Sequence, residues 1–282
     1  MRGYAVIEMG KLGWVERPDY VCGDFDAILK PLAVAACSSD VHSGLESPHL
    51  KNMILGHESL GVVTEVGKCV KDFKPGDRVI IPCTTPTWWH PDFQDTTHQD
   101  AGGMVQGINF SNYEDGTFAD QIKVRSADMN LAHLPSSLTL EQGVMITDMV
   151  TTGFHGPELG EVKYGDSVAV FGIGPVGLMA VAGSALRGAG QLIGVGTRPV
   201  CVELAKEYGA TNVISYKEGD LGTQIMDLTH GRGVDCAIVA GGDVATLNTA
   251  LAVTRPDGFM VNLNVFTGIS KIEFDFLASG AG

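Results

Sequence analysis

The chain has 282 residues, 44% of them hydrophobic and 18% charged, the balance of a globular protein of one or two domains and not of a disordered one. Its 19 Lys and Arg stand against 33 Asp and Glu, a formal net charge of −14 that argues against general nucleic-acid or membrane binding while leaving room for one local basic pocket. The opening residues lack the apolar stretch of a secretion signal, no run is long enough to span a bilayer, and Cys22, Cys37, Cys69, Cys83, Cys201 and Cys236 form no Cys-x-x-Cys pair. Free thiols and a cytoplasmic location are therefore expected.

Up to about residue 150 the pattern is irregular. Short apolar runs such as 27–34 and 78–82 lie between Gly, Pro and Asp clusters, which reads as a mostly β domain with functional loops. From about Tyr164 strands and helices alternate. Strand-like 167–171 meets a glycine turn and a helix-like stretch over 178–187; strand-like 192–195 precedes a helix over 199–208, with Pro199 suited to its first position and Gly209 to its left-handed stop. Strand 213–216, helix 221–228, strand 236–240, helix 246–253 and strand 259–263 follow. This alternation predicts an α/β fold, a doubly wound parallel sheet, with five visible strands where a complete dinucleotide-binding fold of two matching halves has six.

Gly172-Ile173-Gly174-Pro175-Val176-Gly177 fits G-x-G-x-x-G, follows a predicted strand and opens a predicted helix. In that context the first glycine permits the turn, the second lets backbone approach a pyrophosphate, and the third allows close helix–strand packing. A tight connection without ligand is the bland reading. Where an NAD site would place an acidic residue after the second strand, this chain has Gly196-Thr197-Arg198, which points to the 2′-phosphate of NADP. Tyr216 is positioned to cover the adenine or reach that phosphate, and Leu263, Asn264 and Val265 at and just past the end of the fifth strand complete the expected cofactor contacts. Alternatively, Arg198 is a solvated helix-start residue.

Cys37, His57 and Asp148 lie too far apart in sequence for spacing to group them, and each has an ordinary reading as a buried or hydrogen-bonded residue. Asp148 is the odd one, a carboxylate in the apolar run Ile146-Thr147-Asp148-Met149 that asks for a cation or donors.

The local sequences supply a link. Gly56-His57-Glu58-Ser59-Leu60-Gly61, then Gly67 and Phe73-Lys74-Pro75-Gly76-Asp77-Arg78-Val79, resembles the zinc signature of medium-chain alcohol dehydrogenases. Cys37-Ser38-Ser39-Asp40-Val41-His42 is similar to that family's catalytic-cysteine loop, and residues 147–156 to a segment of its NADP-dependent secondary-alcohol branch. The resemblance runs along essentially the whole chain. It implies a GroES-like, mostly β catalytic domain over 1–150 and a Rossmann NADP-binding domain over 151–282.

Thiolate, imidazole and carboxylate suit Zn²⁺ and leave a fourth position for substrate. The resemblance implies Cys37, His57 and Asp148 as ligands, with Glu58 either a movable ligand or outer support. It also implies Ser39 as acceptor of the alcohol proton and His42 as the next relay station; capping of a short helix is their bland role. The implied activity is hydride transfer between a secondary alcohol, or a ketone or aldehyde in reverse, and NADP. A homo-oligomer, a tetramer in the complete form, is the implied assembly. A zinc-free quinone or enone reductase of the same superfamily and an inactive NADP-binding fragment are the alternatives. Two departures stand out: the stretch 88–104 carries no cysteine, so no structural zinc is expected, and Ile108 stands where related enzymes often place a pocket tryptophan. Relatives continue beyond the equivalent of Gly282, so a sixth strand and a return to the catalytic domain are expected to be missing.

Overall fold

The computed structural model describes residues 1–86 and 109–266. The chain divides into two compact units, Met1–Asp148 and the part from Met149 onward.

In the first unit β1 (Arg2–Glu8) and β2 (Lys11–Glu16) form an antiparallel hairpin in which Tyr4 faces Trp14. A separate antiparallel sheet contains β3 (Ala27–Ala35), β4 (Glu58–Val66), β5 (Arg78–Ile81), β6 (Ile122–Val124) and β7 (Ala132–His133), ordered β6-β3-β4-β5-β7. Its core gathers Leu29, Val63, Phe73, Val79, Ile81, Phe110 and Ile122. Pro31 cannot donate to the ladder, and the β3–β4 register shifts between Pro31 and Ala33. The ladder then resumes and ends with Ala35 opposite Glu58, while Ser59 pairs with Ile81 across β4 and β5.

Helix α1 (Ser38–Glu46) follows β3, and the short α2 (Ala127–Asn130) and α3 (Leu140–Ile146) come later in this unit. Thr139 and Gln142 form a reciprocal capping box at the start of α3, which satisfies two otherwise unpaired donors.

The second unit begins with α4 (Met149–Leu159) and continues β8 (Ser167–Phe171), α5 (Pro175–Leu186), β9 (Gln191–Val195), α6 (Pro199–Glu207), β10 (Asn212–Ile214), α7 (Leu221–Leu228), β11 (Val234–Val239), α8 (Val244–Val253) and β12 (Thr254–Asn262). All five strands are parallel, in the order β10-β9-β8-β11-β12. β8 and β11 are buried along their whole length, as a sheet covered on both faces requires. Alternate residues serve two cores: Val168, Val170 and Leu192 pack with α5 and α6, whereas Ala169, Phe171 and Ile193 pack with α7 and α8. That is the doubly wound arrangement expected from the sequence.

Element edges differ from expectation in instructive ways. α5 starts at Pro175 and not Leu178, because Pro occupies the first helical position directly after the Gly174 N-cap. β10 ends at Ile214, so Tyr216 lies two residues beyond the strand. β12 starts at Thr254, where it meets Val234 before a register shift realigns Cys236 with Phe259. Among the described residues no helix is long and apolar enough to cross a membrane.

Candidate metal and nucleotide sites

The first site follows from the ladder of the first unit. Because Ala35 pairs with Glu58, the chain leaving β3 reaches Cys37 beside the turn that enters β4 through His57. The Cys83 N–H, two residues past β5, donates to the Thr147 carbonyl at 3.0 Å and brings Asp148 to the same edge. Donor atoms of Cys37, His57, Glu58 and Asp148 consequently all lie within 4.8 Å of one another. His57 Nε2 is 3.6 Å from Asp148 Oδ2 and 3.8 Å from Glu58 Oε1. Tetrahedral bonds of about 2.0–2.3 Å place neighbouring donors about 3.3–3.8 Å apart, so these spacings suit zinc.

Asp40 orders this cluster. It is 5% exposed and sits at the third position of α1. One oxygen accepts the Cys37 N–H at 3.0 Å; the other accepts the Gly56 N–H at 3.1 Å and stands 3.3 Å from His57 Nδ1. A carboxylate on Nδ1 fixes the ring tautomer and turns Nε2 toward Cys37, Glu58 and Asp148. Gly56 has φ +97°, and a side chain there would strike the Phe118 ring, its Cβ 2.4 Å from Phe118 Cδ1, so only glycine makes this entry to His57.

The electrostatics of the cluster favour a cation. Burial alone would lower the His57 pKa, but hydrogen bonds to Asp148, Asp40 and Cys37 hold it well above the ordinary range. Burial, and then the Asp148 charge, push the Glu58 carboxyl up to about 7. Glu58 Oε2 is buried without a hydrogen-bond partner. Asp40, Glu58 and Asp148 thus converge on one imidazole, and a divalent ion would relieve the repulsion among them. The Cys83 thiol is pushed up to about 12 by burial and by Asp148, so it stays neutral beside the cluster. Neither Asp40 nor Cys83 shows its place in this cluster from the sequence. A carboxylate three residues after a candidate ligand, at a helix start, was the available signal for Asp40.

Ser39 and His42 lie one turn apart inside α1, whose N-cap is Cys37, so the capping role considered for them is not the one they have. Ser39 is half-buried; His42 is exposed, with Nδ1 3.5 Å from Glu46 Oε1.

The second site lies at the carboxyl ends of the parallel strands. Gly172 has φ +89° and donates to the Val195 carbonyl at 3.1 Å, which makes the turn out of β8. A Cβ on Gly177 would lie 1.8 Å from the Gly172 carbonyl oxygen, so the first turn of α5 can close over the strand end only with glycine there. No side chain caps α5 at Gly174, which leaves its first N–H groups available to an anion.

Arg198 folds over this turn, its Nη2 3.3 Å from where a Gly174 Cβ would be, and Thr197 Oγ1 hydrogen-bonds the Tyr216 hydroxyl at 3.1 Å. Gly196 has a packing reason of its own, since a Cβ there would lie 2.3 Å from Ile173 Cγ1. Leu263 donates to the Val239 carbonyl at 2.8 Å and Asn264 Nδ2 to the Gly242 carbonyl at 3.1 Å, which ties 263–265 to the β11 end. The Gly241-Gly242 turn, unremarked in the sequence, packs directly on the glycine motif: a Gly172 Cβ would be 2.8 Å from Gly241 Cα. Ile108, residues 88–104 and residues 272–282 lie outside the described residues.

Comparison with known proteins identifies the family. Residues 23–136 match the alcohol dehydrogenase GroES-like domain and residues 175–279 the zinc-binding dehydrogenase domain. The NADP-dependent isopropanol dehydrogenase of Thermoanaerobacter brockii is 54% identical over 268 residues, 94% of this chain and 76% of that protein. This chain belongs to the zinc-binding alcohol dehydrogenase family. The protein of the same name from Entamoeba histolytica is 46% identical and aligns with 100% of this alcohol dehydrogenase and 78% of its own length. Among solved structures, alcohol dehydrogenase TADH from Thermus sp. ATN1 superposes with a TM-score of 0.86 at 29% identity, covering 98% of this chain and 80% of that one. Cys37, His57, Glu58 and Asp148 together offer thiol, imidazole and carboxylate donors of the kinds that fit a zinc ion.

Proposed function

We propose that this alcohol dehydrogenase interconverts secondary alcohols with ketones, and aldehydes in the reverse sense, using NADP and one zinc ion. Convergence of the Cys37, His57, Glu58 and Asp148 donors carries the reading; relatives 54% identical that are named NADP-dependent isopropanol dehydrogenases support the substrate and cofactor. Bound zinc supplies a Lewis acid that makes an alcohol hydroxyl acidic near neutral pH, and NADP supplies the hydride acceptor.

The chain's own residues do the positioning. Cys37, His57 and Asp148 hold the ion; Glu58, with a buried unpartnered oxygen, is a further donor or supports the others. Asp40 keeps His57 Nε2 aimed at the ion. Ser39 takes the alcohol proton and His42, exposed beside Glu46, passes it to solvent. Gly172 to Gly177 would cradle the pyrophosphate, Gly196, Thr197, Arg198 and Tyr216 would hold the 2′-phosphate, and Leu263, Asn264 and Val265 would line the nicotinamide end. A cytoplasmic location accords with six free cysteines, and assembly as a homo-oligomer, a tetramer, is part of the same proposal.

The test is propan-2-ol oxidation by the purified chain with NADP and with NAD, alongside zinc analysis. We expect one zinc per chain and turnover that prefers NADP. NADP binding with no zinc would sink the reading in favour of a zinc-free reductase, and NADP binding without turnover would favour an inactive NADP-binding fragment.

A further inference from the structure

The two peptides that flank Gly56, just ahead of the ligand His57, are each held by a partner. The Gly56 N–H donates to Asp40, and the Gly56 carbonyl accepts the Ser111 hydroxyl at 3.1 Å and the Thr117 N–H at 2.9 Å. That carbonyl shares a rigid plane with the His57 N–H, so whatever fixes it also fixes the backbone from which the imidazole projects. Gly56 has no side chain to brace the plane and sits at φ +97°; its orientation depends on these partners.

Ser111 is an unusual residue to find there. It is 7% exposed and has φ +62°, a left-handed conformation that glycine adopts at lower cost. Its N–H donates to the Glu114 carbonyl at 2.9 Å, closing a turn that the buried Phe110 anchors in the core. A side chain kept at a strained, buried backbone position calls for a use, and the hydroxyl's use is the bond to Gly56.

We infer that Ser111 is a positioning residue for the metal ligand His57, acting through the Gly56 carbonyl. The inference rests on the zinc reading above. Removing the hydroxyl leaves the Gly56 carbonyl with Thr117, so no buried acceptor is orphaned and the fold survives. The peptide plane then gains freedom, which zinc must remove on binding, and affinity falls.

The test compares Ser111→Ala and Ser111→Gly in the full chain. Zinc affinity is measured by competition with a chromophoric chelator, the ligand-field spectrum after cobalt loading, and the thermal midpoint without metal. Both variants are expected to bind zinc about tenfold more weakly, the low end for groups standing behind metal ligands, and to shift the cobalt bands. Ser111→Gly also relieves the backbone, so its metal-free midpoint should stay level or rise while affinity drops. A merely structural role would move the midpoint and leave the affinity alone. Zinc binding by Ser111→Gly within about twofold of the parent, with unchanged cobalt bands, overturns the inference. A parent chain that binds no zinc overturns the zinc reading and this inference together.

Discussion

Replacing Asp40 by Asn keeps the side chain's shape and removes its charge and one of its two acceptor oxygens. Those oxygens serve the Cys37 N–H, the Gly56 N–H and His57 Nδ1, at 3.0, 3.1 and 3.3 Å. Whichever way the amide is set, its NH₂ opposes one of those donors in a site too buried for water to compensate. One buried donor left unmet costs about 1–3 kcal/mol of folding stability. The imidazole also loses the negative partner that orients it and raises its basicity, for which a fall in zinc affinity of about 10–100-fold is expected, or about 1.4–2.8 kcal/mol.

Two assays separate these effects. Denaturant unfolding of the metal-free protein reads the first, and chelator competition for zinc reads the second. Loss of stability with zinc affinity unchanged would refute the argument, reducing Asp40 to a tie between the start of α1 and the Gly56 turn. No change in either would refute the hydrogen-bond geometry itself.

Asp148→Asn removes a charge from the ligand set and is expected to lower zinc content and to reduce kcat by about 100-fold or more; metal analysis and propan-2-ol turnover check it. Arg198→Ala should weaken NADP binding by about 10–100-fold, the worth of a charge-assisted contact of about 1.5–3 kcal/mol, with NAD binding unaltered in the same titration. Gly177→Ala places a methyl 1.8 Å from the Gly172 carbonyl oxygen and should abolish nucleotide binding or destabilise the second unit, seen by calorimetry with and without NADP. Asp235 is the pH probe: burial raises its pKa, but bonds from Arg255, Ser167 and Arg232 outweigh burial and hold it below its ordinary 3.8. Its contribution is present above pH 3.8 and is lost as pH falls from there toward the lowered folded value, so Asp235→Asn should flatten the acid limb of the stability curve while lowering the plateau.

The second unit was the more legible of the two. Its strands announced themselves as short, continuous apolar runs, and the glycine turn was readable because φ > 0 and close backbone approach admit few other residues. What escaped was anything owed to a neighbour distant in the chain. The partner turn Gly241-Gly242 is an example, as is the packing of Ile173 that demands glycine at 196. In the first unit, Asp40 was visible only as one more acid on a helix start; its role exists because Gly56 and His57 arrive beside it on the turn into β4.

Sequence alone determined the two structural grammars, the glycine turn and the missing acidic residue after the second strand, since backbone conformation and capping are settled among near neighbours. Tertiary structure alone decided that a thiol at 37, an imidazole at 57 and a carboxylate at 148 share one point in space. Their meeting depends on the register that sets Ala35 against Glu58 and on the Cys83–Thr147 bond, and pairings across such separations leave no periodic mark on the chain.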